Sequence, residues 1–292
     1  MSMIVKQMTT KRKLPIEELE SYLSFATMLA LESGEILVSF EKKIGKLLVH
    51  HKKAQGVASS ADLKSEAHII KRIKKKYPDH FILAEEDSFK KGQSSFEATA
   101  GQEFTWIIDP LDGTNNFLNG INYYAICISL AFYGVPVVGV VFRPSTGELF
   151  YTRKGKGAWL LKPELKKPKN LFSEKNTKSL KESIVSTGFA TEKGEKISEE
   201  FLPFKNILTN SRAVRRMGSA ALDMCYVAQG IFDGFWERGL APWDVAASGL
   251  LCVEAGVKLS DFKGQSFTPF DRTIIAAREP LYHEVKKFIA KG

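Results

Sequence analysis

The sequence contains little cysteine. Its three cysteines, Cys127, Cys225 and Cys252, are an odd number among 292 residues and lie far apart, never in Cys-x-x-Cys spacing. A disulfide framework or a structural zinc site needs paired or clustered cysteines, so this distribution argues against both. It indicates a reducing compartment, and we expect the protein in the cytoplasm.

Long hydrophobic runs are also scarce. The first 15 residues contain no apolar core long enough for a signal peptide. Residues 122–142 carry no formal charge, but residues 132–136 at their centre read Phe-Tyr-Gly-Val-Pro, which predicts a turn between two buried strands. A membrane-spanning helix needs about 20 uninterrupted apolar residues. We therefore expect a soluble protein with no membrane partner.

The overall composition is that of a globular protein. Hydrophobic residues make up 44% of the chain and charged residues 26%, which excludes disordered, collagen-like and fibrous proteins. The formal net charge is +9. This surplus suits a polyanionic or phosphorylated partner but carries no information about the fold.

Apolar periodicity and turn residues predict a layered α/β architecture. Helices are predicted at 15–40, 63–77, 197–208, 219–229, 243–255 and 281–290. Strands are predicted at 81–84, 104–109, 125–132, 136–143, 148–153, 184–187, 212–216, 231–237, 257–260 and 273–277. Residues 88–102 are predicted as a loop, and residues 42–60 as a loop that can include a short strand. The Lys/Pro-rich segment 162–170 is interpreted as a boundary between subdomains of about 15–165 and about 170–292 within one domain, 1–292. A surface crossing fits that segment equally well.

Residues 106–117 carry the strongest chemical signal. A buried strand delivers Asp109 to its carboxyl end, and Pro110 is expected to end the strand at Asp109 because proline cannot continue a ladder. Asp112 follows three residues later, so the two carboxylates can converge on one cation, and oxygen ligands favour Mg²⁺ over zinc. Thr114 stands where a short helix could begin, with backbone N–H groups that suit a phosphate. Two turns with solvated carboxylates are the alternative.

Two further acidic positions strengthen the metal hypothesis. Glu85 follows the predicted strand 81–84, and Asp244 precedes an apolar helix. Taken singly, the first is typical of a solvated corner and the second of a helix cap.

These segments together resemble the inositol monophosphatase family of metal-dependent, lithium-sensitive phosphatases. The resemblance rests on Glu85-Glu86, Asp109-Pro-Leu-Asp112-Gly-Thr114 and Trp243-Asp244 in this order, extends through 216–223 and 232–237, and covers about residues 15–290. It implies the layered α-β-α-β-α sandwich of the inositol monophosphatase and fructose-1,6-bisphosphatase type, with mixed and antiparallel sheets. It also implies a homodimer.

The resemblance implies roles for individual residues. The positions that match the family's ligands for two or three Mg²⁺ ions are Glu85, Asp109, the backbone carbonyl of Leu111, Asp112 and Asp244. Thr114 and Asp62 match the pair that orients the attacking water. The positions that match contacts to the phosphate and to the sugar or inositol hydroxyls are the N–H groups of Gly113 and Thr114, then Ala220 and Glu237.

The chain departs from the family pattern at two places. Ala84 stands where the family usually has glycine, and Ser59 stands where threonine is common on the approach to Asp62. The adjacent run of His50, His51, Lys52 and Lys53 is unusually basic. A solvated charge run is favoured there over a phosphate contact of the lysines, and metal ligation by the histidines is disfavoured because adjacent side chains diverge.

The predicted function is a Mg²⁺-dependent phosphomonoesterase that hydrolyses inositol monophosphate or a similar polyol or sugar phosphate by metal-activated water, without a phosphoenzyme. Fructose 1,6-bisphosphate, histidinol phosphate and NADP remain alternative substrates within the family. An RNA- or transcription-complex-binding role is another alternative, although the basic residues are dispersed without interleaved aromatics. The haloacid dehalogenase phosphatases match poorly, since they space their carboxylates at i and i+2 near the chain start.

Overall fold

The computed structural model describes residues 14, 16–41, 49–52, 56–91, 99–172, 179–189 and 198–290. The helices in these ranges are α1 (Ile16–Glu41), α2 (Ser60–Lys76), α3 (Glu85–Lys91), α4 (Thr114–Leu118), α5 (Ser198–Asn210), α6 (Ala220–Gln229), α7 (Pro242–Glu254) and α8 (Leu281–Ile289). The strands are β1 (Val49–Lys52), β2 (Gly56–Ser59), β3 (Phe81–Ala84), β4 (Phe104–Asp112), β5 (Ala125–Phe132), β6 (Val135–Arg143), β7 (Glu148–Arg153), β8 (Ala158–Leu161), β9 (Lys169–Asn170), β10 (Ile184–Thr187), β11 (Ala213–Arg215), β12 (Gly234–Arg238), β13 (Lys258–Ser260) and β14 (Thr273–Ala277).

The first large sheet has seven strands in the order β3-β4-β5-β6-β7-β8-β9. Strands β3 and β4 are parallel, and the other neighbours are antiparallel. Helices α1 and α2 cover its outer face. The core between them includes Leu29, Ile69, Trp106, Ile128 and Val140, all fully buried. By length and composition alone, Glu17–Glu41 could cross a membrane, but its apolar stripe packs in this core.

The second sheet has five strands in the order β11-β10-β12-β14-β13. Strand β12 is parallel to β10 and antiparallel to β14. Helices α5 and α8 cover its outer face through a core that includes Ile207, Trp236, Ile275, Leu281 and Val285.

Helices α6 and α7 form a layer between the two sheets. Gly139 on β6 permits the close approach of α7, because a Cβ atom there would lie 2.8 Å from the carbonyl oxygen of Ala247. Their shared core includes Leu222, Val245 and Leu251. The layers therefore run helix, sheet, helix, sheet, helix, which confirms the predicted α-β-α-β-α sandwich.

Most predicted elements are present, and the differences have local causes. The predicted turn at 132–136 is a tight hairpin turn at Tyr133 and Gly134, both with positive φ. Residues 88–91, predicted as loop, extend α3 instead. Strand β9 lies inside the predicted 162–170 boundary and pairs with β8, so this segment returns to the first sheet. The division into two subdomains stays a prediction.

Candidate active site

Strand β4 does not end at Asp109, so the prediction that Pro110 stops the ladder was wrong. Asp109 pairs with Cys127 and Asp112 pairs with Ala125, with a register shift between the two pairs. A β-bulge absorbs the extra residue and the missing N–H of proline. As a result, Asp109 and Asp112 both belong to the end of one strand.

The register of β3 and β4 brings Glu85 to the same place. Ala84 pairs in parallel with Ile108, so the residues that follow them, Glu85 at the start of α3 and Asp109 on β4, are neighbours at the end of β3. Burial raises the pKa of Asp109 well above its usual range, and the charges of Glu85, Asp112 and Asp244 raise it further. The buried Asp109 carboxylate is held by the Leu111 N–H, 2.9 Å from Oδ1.

Asp112 is held from the other half of the chain. Its Oδ2 accepts hydrogen bonds from the Ser219 hydroxyl at 2.6 Å and from the Ala221 N–H at 2.9 Å. Burial raises the pKa of Asp112 to about 6, and Glu85 adds to the rise, while these hydrogen bonds oppose it. The start of α6 therefore fixes the orientation of a carboxylate on β4.

Asp244 lies in the first turn of α7. Its Oδ2 accepts the Ala241 N–H at 2.8 Å, which is the helix-capping contact considered from the sequence. This capping contact is made by Oδ2, so capping and metal ligation through Oδ1 are compatible roles for Asp244. Asp244 also contributes to the raised pKa of Asp109, so its charge reaches the same site.

Asp62 and Thr114 meet although 52 residues separate them. Thr114 Oγ1 lies 2.9 Å from Asp62 Oδ1 and 3.0 Å from the Leu111 carbonyl oxygen. The other oxygen of Asp62 accepts the hydroxyl and the N–H of Ser59, at 2.5 and 2.9 Å. The hydroxyl at position 59 thus serves to orient Asp62. Burial raises the pKa of Asp62.

Gly113 and Thr114 form the start of α4. Gly113 has φ of 91°, and a Cβ atom there would lie 3.0 Å from the Tyr123 carbonyl oxygen, so glycine is required. The backbone N–H groups of a first turn point out of the helix end without partners within the helix. This is the arrangement expected of a phosphate-binding turn.

Ala220 approaches from the central helical layer, and Glu237 approaches from the second sheet. Ala220 is the first residue of α6, directly after Ser219. Glu237 lies on β12, and its pKa is raised by burial and then by Asp223, Asp244 and Asp112, while Arg216 lowers it. Its carboxylate therefore shares the electrostatic field of the acidic residues on β4 and α7.

A network that the sequence did not reveal joins the two halves. Asn116 Nδ2 donates to the carbonyl oxygens of Tyr123 at 2.7 Å and Met217 at 2.8 Å. The Tyr123 hydroxyl donates to Asp223 Oδ1 at 2.7 Å. Ser219, two residues past Met217, is the clearest example of a site residue that was not predicted from the sequence. Its place before the apolar helix predicts an N-cap, and only the fold shows its second partner, Asp112.

The basic run at residues 50–53 and the departure from the family pattern at Ala84 were also singled out from the sequence. His50, His51 and Lys52 belong to β1, which pairs with β2, but only their backbone is described. Lys53 lies outside the described residues. Ala84, in the position of the usual family glycine, is buried at the end of β3.

The acidic residues at this site have the donor atoms that a divalent cation prefers. The donors that follow β3, end β4 and lie in the first turn of α7 are carboxylate oxygens and a backbone carbonyl, which suit Mg²⁺. Within the described ranges, no three Asp, Glu, His or Cys side chains stand close enough to share one ion. Burial raises the pKa of Asp109, and the charges of Glu85, Asp112 and Asp244 raise it further, so the negative charge of all four residues is felt at one place. The donor chemistry and the excess negative charge both fit a cation.

Comparisons with known proteins agree with this geometry. The sequence model of the Inositol monophosphatase family matches residues 18–291. Nus factor SuhB of Pasteurella multocida is 33% identical over 90% of this chain and 93% of its own length. A fructose-1,6-bisphosphatase/inositol-1-monophosphatase of Aquifex aeolicus is 34% identical over 91% and 94%. The extragenic suppressor protein suhB of Bartonella henselae has a similar structure, with a TM-score of 0.81, 29% identity, and coverage of 93% of this chain and 99% of that one.

Proposed function

Since the chain belongs to the inositol monophosphatase family, we propose that it is a Mg²⁺-dependent phosphomonoesterase for inositol monophosphate or a similar polyol phosphate. The observation that carries the proposal is electrostatic. Asp109 is buried, and three other carboxylates, Glu85, Asp112 and Asp244, act on its pKa together. Keeping one buried carboxylate ionised beside three others is unfavourable unless a cation accompanies them.

Glu85, Asp109, Asp112, Asp244 and the Leu111 carbonyl are the proposed Mg²⁺ ligands. When bound, Mg²⁺ supplies charge neutralisation for the phosphate and lowers the pKa of water. The Ser219 hydroxyl and the backbone N–H groups of Leu111, Ala221 and Ala241 each bind one oxygen of an aspartate. These contacts orient the carboxylates before a ligand arrives, and such preorganisation lowers the cost of binding.

Asp62 and Thr114 are the proposed pair that positions the attacking water. A hydroxyl carries one proton, so Thr114 that donates to Asp62 Oδ1 retains lone pairs to accept a hydrogen bond from water. The raised pKa of Asp62 makes its carboxylate a better proton acceptor. Attack by water needs no phosphoenzyme, because phosphoryl transfer depends mainly on positioning and charge neutralisation.

Glu237 and Ala220 are the proposed contacts to the leaving group, and the N–H groups of Gly113 and Thr114 the proposed contacts to the phosphate. A carboxylate accepts hydrogen bonds from hydroxyls, so Glu237 favours a polyhydroxylated alcohol. We further propose a homodimer in the cytoplasm. Fructose 1,6-bisphosphate remains a candidate substrate, since a relative carries both activities in its name.

The test is phosphate release across a panel of inositol, sugar and nucleotide monophosphates and fructose 1,6-bisphosphate, with Mg²⁺, without Mg²⁺, and with added Li⁺. We expect Mg²⁺-dependent, Li⁺-inhibited turnover that is fastest with polyol phosphates. Asp112→Asn should abolish turnover while the circular dichroism spectrum stays unchanged. Turnover of Asp112→Asn near the wild-type level would contradict the metal assignment. A trapped phospho-aspartate at Asp109 would contradict the water mechanism.

A second candidate is binding to RNA. Relatives named Nus factor SuhB favour it, as does the net charge of +9. The exposed lysines on α2, namely Lys71, Lys74, Lys75 and Lys76, offer a surface. Retention on RNA at moderate salt, lost when these lysines are changed to glutamine while phosphatase activity remains, would support this role. A steep loss of binding with salt in every variant would indicate nonspecific charge attraction.

A further inference from the structure

The end of strand β10 lies directly beside Glu237. Strands β10 and β12 are parallel, with Val185 opposite Gly234 and Thr187 opposite Trp236. At this last pair of the ladder, the Thr187 hydroxyl also donates to the Trp236 carbonyl oxygen at 2.7 Å. The next residues along the two strands, Gly188 and Glu237, are therefore adjacent.

Gly188 provides the space that the Glu237 carboxylate occupies. A Cβ atom at position 188 would lie 2.1 Å from Glu237 Oε1, 2.3 Å from Cδ and 2.3 Å from Oε2. These distances are far below van der Waals contact. Any side chain at this position would displace the carboxylate, while the backbone of residue 188 needs no unusual conformation, since its φ is outside the positive region.

The Glu237 carboxylate is available to a ligand. Within the described ranges, it makes no hydrogen bond or ion pair, and the residue is partly exposed. Trp236, its neighbour on β12, packs in the outer core against α8. Because successive side chains on a strand point to opposite faces, Glu237 points inward, toward α6 and the aspartates.

We infer that Gly188 is a specificity-determining residue. Because it has no side chain, the Glu237 carboxylate can lie against the end of β10, which leaves room for a ring-shaped polyol. The inference rests on the proposed function, because it assigns Glu237 to the hydroxyls of the leaving group. A side chain at position 188 would move the carboxylate into the space that the ring needs and out of register with its hydroxyls. Phosphate esters without hydroxyls would not depend on this position.

The test compares myo-inositol 1-phosphate with para-nitrophenyl phosphate in Gly188→Ala. We expect kcat/KM for the inositol ester to fall about 10-fold or more, since a hydrogen bond to a charged group is lost, and kcat/KM for the nitrophenyl ester to stay near the wild-type value. Gly234→Ala is the matched control, since its Cβ would meet its neighbours at 3.4 Å, an ordinary contact, in the same sheet. Gly234→Ala should leave the ratio of the kcat/KM values for the two esters unchanged.

The Glu237→Ala background isolates the mechanism. If Gly188 acts through Glu237, adding Gly188→Ala to Glu237→Ala should have no further effect on either substrate. An equal loss with both esters, or additive losses in the double variant, would overturn the inference. Absence of Mg²⁺-dependent hydrolysis in the wild-type chain would overturn the proposed function, whereas normal wild-type turnover with an unchanged ratio in Gly188→Ala would overturn this inference alone.

Discussion

The hydroxyl of Ser219 donates a 2.6 Å hydrogen bond to Oδ2 of Asp112, which lies 107 residues earlier in the chain. Ser219 is also the N-cap of α6, where its oxygen accepts the Leu222 N–H at 3.3 Å. One buried side chain thus begins a helix in the central layer and orients an acidic residue on the first sheet. This contact couples the position of α6 to the proposed metal site.

Ser219→Ala should weaken Mg²⁺ binding more than it weakens the fold. Loss of an outer hydrogen bond to a metal ligand costs about 10- to 100-fold in metal affinity, and loss of the cap costs about 1 kcal/mol of stability. We expect the Mg²⁺ concentration for half-maximal activity to rise by that factor and the Mg²⁺-induced increase in Tm to shrink. Ser219→Thr, which keeps a hydroxyl, should restore both.

Ser129→Ala is the control for Ser219→Ala. Ser129 is a buried serine on β5 whose hydroxyl donates to the Val138 carbonyl at 2.8 Å. Its removal should lower stability and leave the Mg²⁺ dependence unchanged. Equal Mg²⁺ dependence of Ser219→Ala and wild type would show that the Ala221 N–H alone suffices to orient Asp112.

Thr114→Ala should lower kcat by about 100-fold or more, in the range of general acid–base contributions, with little change in KM. The hydroxyl links Asp62 to the site, whereas the proposed phosphate contacts at positions 113 and 114 come from the backbone and remain. Thr114→Ser should recover most of the activity. A rise in KM with unchanged kcat, measured under saturating Mg²⁺, would instead assign Thr114 to substrate binding.

Sequence reasoning recovered most of the fold because its signals are local. Runs rich in Ile, Val, Phe and Tyr identified β5, β6 and β7 with nearly correct ends, and the Tyr133-Gly134 turn fixed the hairpin of β5 and β6. Strands β8 and β9 were missed, since they are short and flank a polar segment, and since they form by pairing, β8 with β7 and β9 with β8. Gly34 lies inside α1, and the Phe142 ring packs where a side chain at this position would stand.

The residues of the site also fall into those that the sequence could predict and those that it could not. Asp109 and Asp112 stand three residues apart, so their place at one strand end could be predicted. Glu85 and Asp244 were marked as candidates by their places beside a strand and a helix, and the likeness to a known family added Asp62. The bulge at Pro110 could not be predicted, because it depends on the register with β5. Neither could the contacts of Ser219 with Asp112 or of Gly188 with Glu237, which join residues that are remote along the chain.

His80 should make stability depend on pH below about 6.5. Its ring stacks between Tyr77 and Phe104, and its Nδ1 lies 3.1 Å from Trp106 Nε1, which can only donate. Burial lowers the pKa of His80, against the opposing charges of Asp79 and Glu103. The folded state therefore resists protonation while the unfolded chain accepts it, so stability is full above the unfolded pKa and falls as the pH drops toward the lowered one.

The measurement for His80 is urea unfolding at neutral pH and at about pH 5, one unit and more below the reference pKa. We expect His80→Phe, which keeps the stacking and removes the titration, to lose less stability between the two pH values than wild type. His283→Phe is the control, since the His283 side chain is 67% exposed. A pH dependence that is the same in His80→Phe and wild type would contradict the prediction.

Arg278→Met should destabilise the layer between the sheets without changing the chemistry of the site. Arg278 is buried and donates to the carbonyl oxygens of Val227 and Ala228, at the end of α6, and of Ala255, at the end of α7. A cation there also complements both helix dipoles. Methionine would fill part of the space and leave these carbonyls unpaired, at a cost of about 3 kcal/mol of stability.

The same substitution should leave the activity unchanged. Both helices carry their site residues at the ends opposite to Arg278, so kcat/KM should stay near the wild-type value below the unfolding transition. Urea unfolding at saturating Mg²⁺ measures the loss of stability, and steady-state kinetics measure kcat/KM. The stability of Arg278→Lys should lie between those of Arg278→Met and wild type. A large loss of kcat/KM in a fully folded Arg278→Met would show that the two helix ends also set the geometry of the aspartates.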